Sequence, residues 1–180
     1  MVQANTGKST SVGYPGQRVG IFIDVQNIYH SAKHLYQSRV NFDELVRHLV
    51  GHRTLVRAMA YVVQSEEANG ETKGEGLFFE ALRKAGLELR IKDLQVYAGG
   101  MKKADWDVGM AVDAVRVSDR LDVAVLVTGD GDFAPLIAYL KWGKGVFVEV
   151  AAFSRSASGK VKEKADRFIE LETIPKILLK

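Results

Sequence analysis

The chain of 180 residues contains no cysteine. That absence excludes a disulfide framework, a thiolate nucleophile and any zinc site built on sulfur, and it fits a reducing cytoplasm. No apolar run approaches the ~20 residues of a membrane-spanning helix. The amino terminus carries one early lysine, Lys8, with no apolar core behind it, so secretion is not expected. The four histidines, His30, His34, His48 and His52, form no His-Glu-x-x-His pattern. His30 and His34 have a spacing that can bind a metal, although a solvated helix face is its commoner meaning. Gly7-Lys8-Ser9-Thr10 resembles the end of a phosphate-binding loop, but Val2 stands where the first glycine belongs and no strand precedes it. No Gly-x-Gly-x-x-Gly follows the first apolar run, which disfavours a dinucleotide-binding domain.

What is present reads as one globular domain. Hydrophobic residues make up 47% and charged residues 26% of the chain, an ordinary balance. The 25 Lys and Arg against 22 Asp and Glu leave a net charge of +3. This mild basic excess is compatible with a polyanionic partner without identifying one. Residues 1–17 are rich in Gly, Ser, Thr and Gln and are expected to be a disordered tail. Residues 18–172 carry the folded pattern, and 173–180 form a carboxy-terminal extension. No internal repeat or linker divides the chain.

From Arg18 onward, strands and helices alternate. Val19–Ile23 is a continuous apolar run, as expected of a strand covered on both faces. A helix is expected over 27–36. Asn41 and Glu44 then form a capping box for a helix bearing Phe42, Leu45, Val46 and Leu49, stopped by Gly51. Thr54–Val63 is the second strand, and 65–75 a mobile loop. Leu77, Phe78, Ala81, Leu82 and Ala85 have helical spacing, and Leu87–Tyr97 is extended. Trp106–Ser118 is read as a helix with Val108, Ala111, Val112 and Val115 facing the core. Leu121–Val127 is the most apolar strand. A helix around Phe133–Leu140, a strand over Val146–Val150, a short helix over 161–165 and an edge strand near Phe168–Leu171 complete the pattern. This alternation predicts a three-layer α/β/α sandwich with a mainly parallel central sheet and Rossmann-like topology.

Acidic residues cluster at one kind of place in that pattern. Asp24 follows the first strand, Asp130 and Asp132 follow the most apolar strand, and Asp107 opens a helix. In a parallel α/β fold those positions share the rim at the strand carboxyl ends, where ligands bind. Singly, each acid has a bland explanation as a cap or a helix-dipole partner. Together they favour one rim, and carboxylates that converge need a cation. All-oxygen ligands suit Mg²⁺ or Mn²⁺. Asn27 can orient a carboxylate or bound water, and Thr128 can donate its hydroxyl. Asp113 lies about 240° around a helix from Asp107 and is ranked as a supporting or basic-residue partner.

Three blocks of sequence then resemble the signature blocks of the NYN domain family, closest to its LabA-like branch. They are Phe22-Ile23-Asp24-Val25-Gln26-Asn27, Lys103-Ala104-Asp105-Trp106-Asp107-Val108-Gly109-Met110-Ala111-Val112-Asp113 and Thr128-Gly129-Asp130-Gly131-Asp132-Phe133. Ala165–Leu171 resembles the family's closing segment. The resemblance implies a PIN-like nuclease fold, an acidic pocket for Mg²⁺ or Mn²⁺, and ribonuclease activity. By motif position it assigns Asp24, Asp107, Asp130 and Asp132 to the metal site, and Asn27 and Asp113 to other recurrent positions.

The expected chemistry is hydrolysis of RNA phosphodiesters with metal assistance. Asp24 and Asp130 are favoured as direct ligands, and Asp107 and Asp132 as ligands of a second ion or orienters of water. RNA, single-stranded or structured, is the expected partner. Lys102, Lys103, Arg57 and Lys144 are the leading phosphate contacts, with Arg53, Lys92, Lys141, Lys160, Lys162 and Lys164 as further cations. Tyr29, Tyr97 and Trp106 are candidates for base stacking. Self-association is left open, and no membrane partner is expected. One alternative is a non-catalytic RNA-binding or regulatory module on the same fold. Another is a phosphotransfer enzyme, but haloacid-dehalogenase phosphatases need Asp-x-Asp, and Asp24-Val25-Gln26 lacks the second acid.

Overall fold

The computed structural model describes residues 13–64, 73–93, 95–96, 102–103 and 105–179. Most of the expected tail, the loop over 65–72 and Tyr97 lie outside the described residues, as do the side chains of Lys102 and Lys103. The elements in order are β1 (Arg18–Asp24), α1 (Val25–Tyr36), β2 (Arg39–Val40), α2 (Phe42–Val50), β3 (Thr54–Gln64) and α3 (Lys73–Lys84). They continue with β4 (Glu88–Asp93), β5 (Gln95–Val96), β6 (Lys102–Lys103), α4 (Asp107–Val117), β7 (Val123–Val127) and α5 (Ala134–Ala138). The last are β8 (Phe147–Ala152), α6 (Gly159–Lys164), β9 (Arg167–Glu170) and β10 (Leu178–Leu179).

Six strands form one parallel sheet in the order β4-β3-β1-β7-β8-β9. The sheet is covered on both faces, which is why its strands are apolar at successive positions. Val19, Ile21 and Ile23 of β1 pack with Ile28, Leu45, Leu49, Phe79 and Leu82, so α1, α2 and α3 cover that face. Phe22 points the other way and packs with Met110, Ala114, Leu136, Ile137 and Val161 of α4, α5 and α6. The expected three layers are therefore present. Two antiparallel pairs, β2 with β10 and β5 with β6, flank this frame. Ile174 and Ile177, just before β10, are buried in the core.

The chain leaves β1, builds β3 and β4 on one side, then returns to build β7, β8 and β9 on the other. Strand order thus reverses between β1 and β7, and a crevice opens beyond their carboxyl ends.

One helix is turned differently from its expected orientation. In α4 the buried residues are Met110, Asp113, Ala114 and Val117. Val108 is 74% exposed and Val112 47%. The entry to the helix sets this rotation. The Trp106 indole N–H donates to the Val62 carbonyl at 2.8 Å, and its ring packs against Tyr61 at 5.5 Å between centroids. From that anchor, Asp107, Met110, Ala114 and Val117 follow at helical spacing down one face.

Buried Asp113 is satisfied where it lies. It accepts from Tyr61 Oη (3.2 Å), Arg90 Nε (3.1 Å) and Arg116 Nη1 (3.2 Å). A second buried ionic group joins β8 to its surroundings. Glu149 accepts from Arg53 Nη1 at 3.1 Å and Arg167 Nη1 at 3.2 Å, and the Arg53 and Glu149 side chains are sealed from water.

Candidate functional site

Asp24 ends β1 and caps α1. Its Oδ1 accepts the Asn27 backbone N–H at 3.1 Å, which starts the helix at Val25, two residues earlier than the sequence reading placed it. Its Oδ2 accepts from the Thr128 hydroxyl at 3.3 Å. Thr128 is fully buried at the end of β7, and its Oγ1 accepts the Asp130 N–H at 3.2 Å. Asn27 closes the ring, its Oδ1 accepting the Gly129 N–H at 2.9 Å. Asp24, Asn27 and Thr128 therefore lock the ends of the two central strands together across the crevice.

Beyond β7 the chain turns tightly. Asp130 caps the single 3₁₀ turn Gly131–Phe133, its Oδ1 accepting the Asp132 N–H at 2.9 Å. The cap is Asp130 rather than Asp132, which leaves the Asp132 carboxylate exposed. Asp107 stands at the start of α4. Carboxylate oxygens of Asp107, Asp130 and Asp132 lie within 4.8 Å of one another.

No lysine or arginine among the described residues pairs with Asp24, Asp107, Asp130 or Asp132. The crowding has an electrostatic signature. The Asp107 carboxyl is pushed up to about 6, by burial first and then by Asp130, Asp105, Asp24 and Asp132. Burial also raises the Asp24 carboxyl, against the hydrogen bonds from Asn27 and Thr128. An all-oxygen group of three carboxylates that forms no ion pair among the described residues fits a hard divalent ion. Asp24 stands beside this trio, held by Thr128 and Asn27, and lies outside the group of three.

Other sequence expectations fall elsewhere. Asp113 is committed to Tyr61, Arg90 and Arg116, so it acts as a basic-residue partner in the α4 interface. Arg57 and Lys144 are not on the acidic rim. Arg57 opposes Gly20 near the start of β3 and pairs with Glu88 at 3.1 Å. Lys144 follows α5 and pairs with Asp119 at 2.9 Å ahead of β7. Crossover helices run back against the strands, so basic residues at their ends collect on the opposite rim. Arg53 is buried on Glu149, and Lys141 is bound to Asp166. Lys92 lies over the Trp106 ring at 5.7 Å, and Trp106 is itself anchored in the core.

The sequence reading missed one part of the rim. After β8, residues 154–158 fold over the Thr128–Gly131 turn. The Ser158 N–H donates to the Gly129 carbonyl at 2.8 Å, and the Ser156 and Ser31 hydroxyls meet at 3.0 Å. A Cβ on Gly129 would lie 3.0 Å from Ala157 Cα, and one on Gly131 2.7 Å from Ser158 Oγ. A side chain at Gly131 would force Ser158 to shift, and one at Gly129 would press on the Ala157 backbone. The available signal was positional, since this loop follows a strand's carboxyl end.

Comparison with known proteins agrees with this architecture. The NYN domain pattern matches residues 18–172, and the chain belongs to the NYN domain family. A crystal structure of a protein of unknown function, VPA0982 from Vibrio parahaemolyticus, is 27% identical. It covers 93% of this chain and 99% of its own, with a TM-score of 0.82, and has the same PIN-like fold. A putative aminotransferase from Clostridium difficile is 11% identical over 71% of this chain and 34% of its own, and its TM-score of 0.24 carries no argument. No curated protein matches. No helix among the described residues is long and apolar enough to cross a membrane.

Proposed function

We propose that this NYN domain, of the LabA-like branch by its three residue blocks, is an endoribonuclease that hydrolyses RNA phosphodiesters with Mg²⁺ or Mn²⁺. One observation carries the reading: Asp107 from the start of α4, and Asp130 and Asp132 from the turn after β7, bring carboxylate oxygens within 4.8 Å at the strand-reversal point. Asp107, Asp130 and Asp132 would hold the ion. When bound, a divalent ion supplies Lewis-acid polarisation of the phosphate and a more acidic water.

The chain's own groups do the positioning. Thr128 and Asn27 fix the Asp24 carboxylate beside the trio, where it accepts a hydrogen bond from the attacking water. Asn27 also holds the Gly129 amide, which fixes the turn that presents Asp130. The protein offers no thiolate, and no covalent intermediate is required. Lys102 and Lys103, just ahead of the second acidic block, are proposed phosphate contacts.

The test is cleavage of a fluorophore-labelled single-stranded RNA with Mn²⁺, Mg²⁺ or EDTA. Wild type cuts only with metal. Asp130→Asn lowers the rate more than about 100-fold, beyond the range typical of residues that merely support a ligand. Wild-type protein that binds the RNA yet leaves it intact in Mn²⁺ would instead establish the non-catalytic RNA-binding module.

A further inference from the structure

The acidic rim must receive a substrate of its own sign. A phosphodiester approaching Asp24, Asp107, Asp130 and Asp132 meets repulsion unless a cation stands beside them. Most basic residues that the sequence offered are engaged elsewhere or sit on the opposite rim. Lys162, in α6, is one such case, since its ammonium donates to the Ser154 carbonyl at 2.6 Å and holds the loop in shape.

Lys160 differs from all of these. It lies in the first turn of α6, at the end facing the crevice. Its Cδ is 3.5 Å from the position a Cβ on Gly131 would take, so its stem passes the turn between Asp130 and Asp132. The ammonium is two bonds further along. Lys160 is exposed, and among the described residues its ammonium makes no ion pair or hydrogen bond. The position is also a poor one for a merely structural lysine. The free N–H groups of a helix start carry partial positive charge, which disfavours a cation there, and the first turn of α6 contains no acid. The loop leading into α6 is fixed to the turn after β7 through Ser158 and Gly129 and to α1 through Ser156 and Ser31.

We propose that Lys160 is a phosphate-binding residue of this rim, contacting a backbone phosphate of single-stranded RNA next to the carboxylate trio. This rests on the ribonuclease reading and adds to it a specific substrate contact. The stem lies in van der Waals range of Gly131, in the turn that presents the acids.

The test uses the full chain and a labelled 12-nucleotide single-stranded RNA, with binding measured in EDTA and in Ca²⁺ from about 30 to 300 mM salt. Losing one phosphate contact reduces the magnitude of the log affinity against log salt slope by about 0.7. Lys160→Met is expected to show that reduction with unchanged thermal stability. Lys160→Arg is expected to restore the slope. Lys164→Met, one helical turn further from the crevice, is expected to keep the wild-type slope. Wild-type slope and affinity in Lys160→Met, or an equal loss in Lys164→Met, would overturn the assignment while leaving the ribonuclease reading intact. Wild-type protein that neither binds nor cuts the RNA would overturn both.

Discussion

Replacing Asp107 with asparagine removes one charge from the crowded rim while keeping the side chain's shape. Burial and the neighbouring acids lift this carboxyl from 3.8 to about 6. At about 1.4 kcal/mol for each pH unit between those values, the charged form costs at most about 3 kcal/mol. The side chain is only half-buried, and water screening brings that to about 1 kcal/mol. The α4 dipole works the other way, since an anion in a first turn gains about 0.3–1 kcal/mol. No capping hydrogen bond is lost, because the residue at the cap, Trp106, makes none through its side chain. In EDTA at pH 7.5 the variant should therefore match or exceed wild type by up to about 0.7 kcal/mol. That corresponds to about 0–3 °C in Tm for a chain of this size.

The pH dependence has a defined sign. Between about pH 4 and 6 the folded protein keeps a proton that the unfolded chain has released, so wild-type stability falls as pH rises through that window. The asparagine variant should lack this slope, and the two proteins should converge near pH 4. Divalent metal reverses the order. At 100 times its dissociation constant a ligand adds about 2.7 kcal/mol to the protein that binds it. Wild type should gain this in Mn²⁺ and the variant most of it should lose. Thermal unfolding across pH, with and without Mn²⁺, reads all of these quantities. A variant clearly less stable than wild type in EDTA, or equally stabilised by Mn²⁺, would refute the electrostatic account and leave Asp107 a structural residue.

Two further outcomes test the fold. Glu149→Leu leaves Arg53 buried without its partner and should cost about 3–5 kcal/mol in urea unfolding, whereas adding Arg53→Met should recover most of that loss. The rotation of α4 predicts that Met110→Ala costs about 2–5 kcal/mol and Val112→Thr less than about 0.5 kcal/mol; comparable losses from the two would return Val112 to the core.

The parts of the fold legible in the sequence were those governed by local rules. The apolar run of β1 ends at Asp24 because a strand covered on both faces needs no polar alternation, and the acid marks where cover stops. Asn41 reads as a cap and is one, accepting the Glu44 N–H at 3.2 Å. The α4 face misled because the apolar stripe was assumed to point inward. In the structure the indole hydrogen bond of Trp106 fixes the rotation, and Asp113 goes inside because three donors await it there. Those donors come from β3, β4 and α4 itself, so hydropathy along the helix could not reveal them. The acids were found because their positions after strands define a rim. Among the cations, a residue's place relative to the strand carboxyl ends is what separates Arg57 and Lys144 from the rim. Arg57 lies within a strand and Lys144 after a helix, while Lys160 stands at a helix start.

The hydrogen bond from Thr128 to Asp24 spans 104 residues of sequence. A chain emerging from the ribosome has already made Asp24 long before β7 exists, and β8 with its covering loop comes later still. No early fragment can gather the carboxylates, so whatever chemistry they perform begins only after the second half of the polypeptide has docked onto the first.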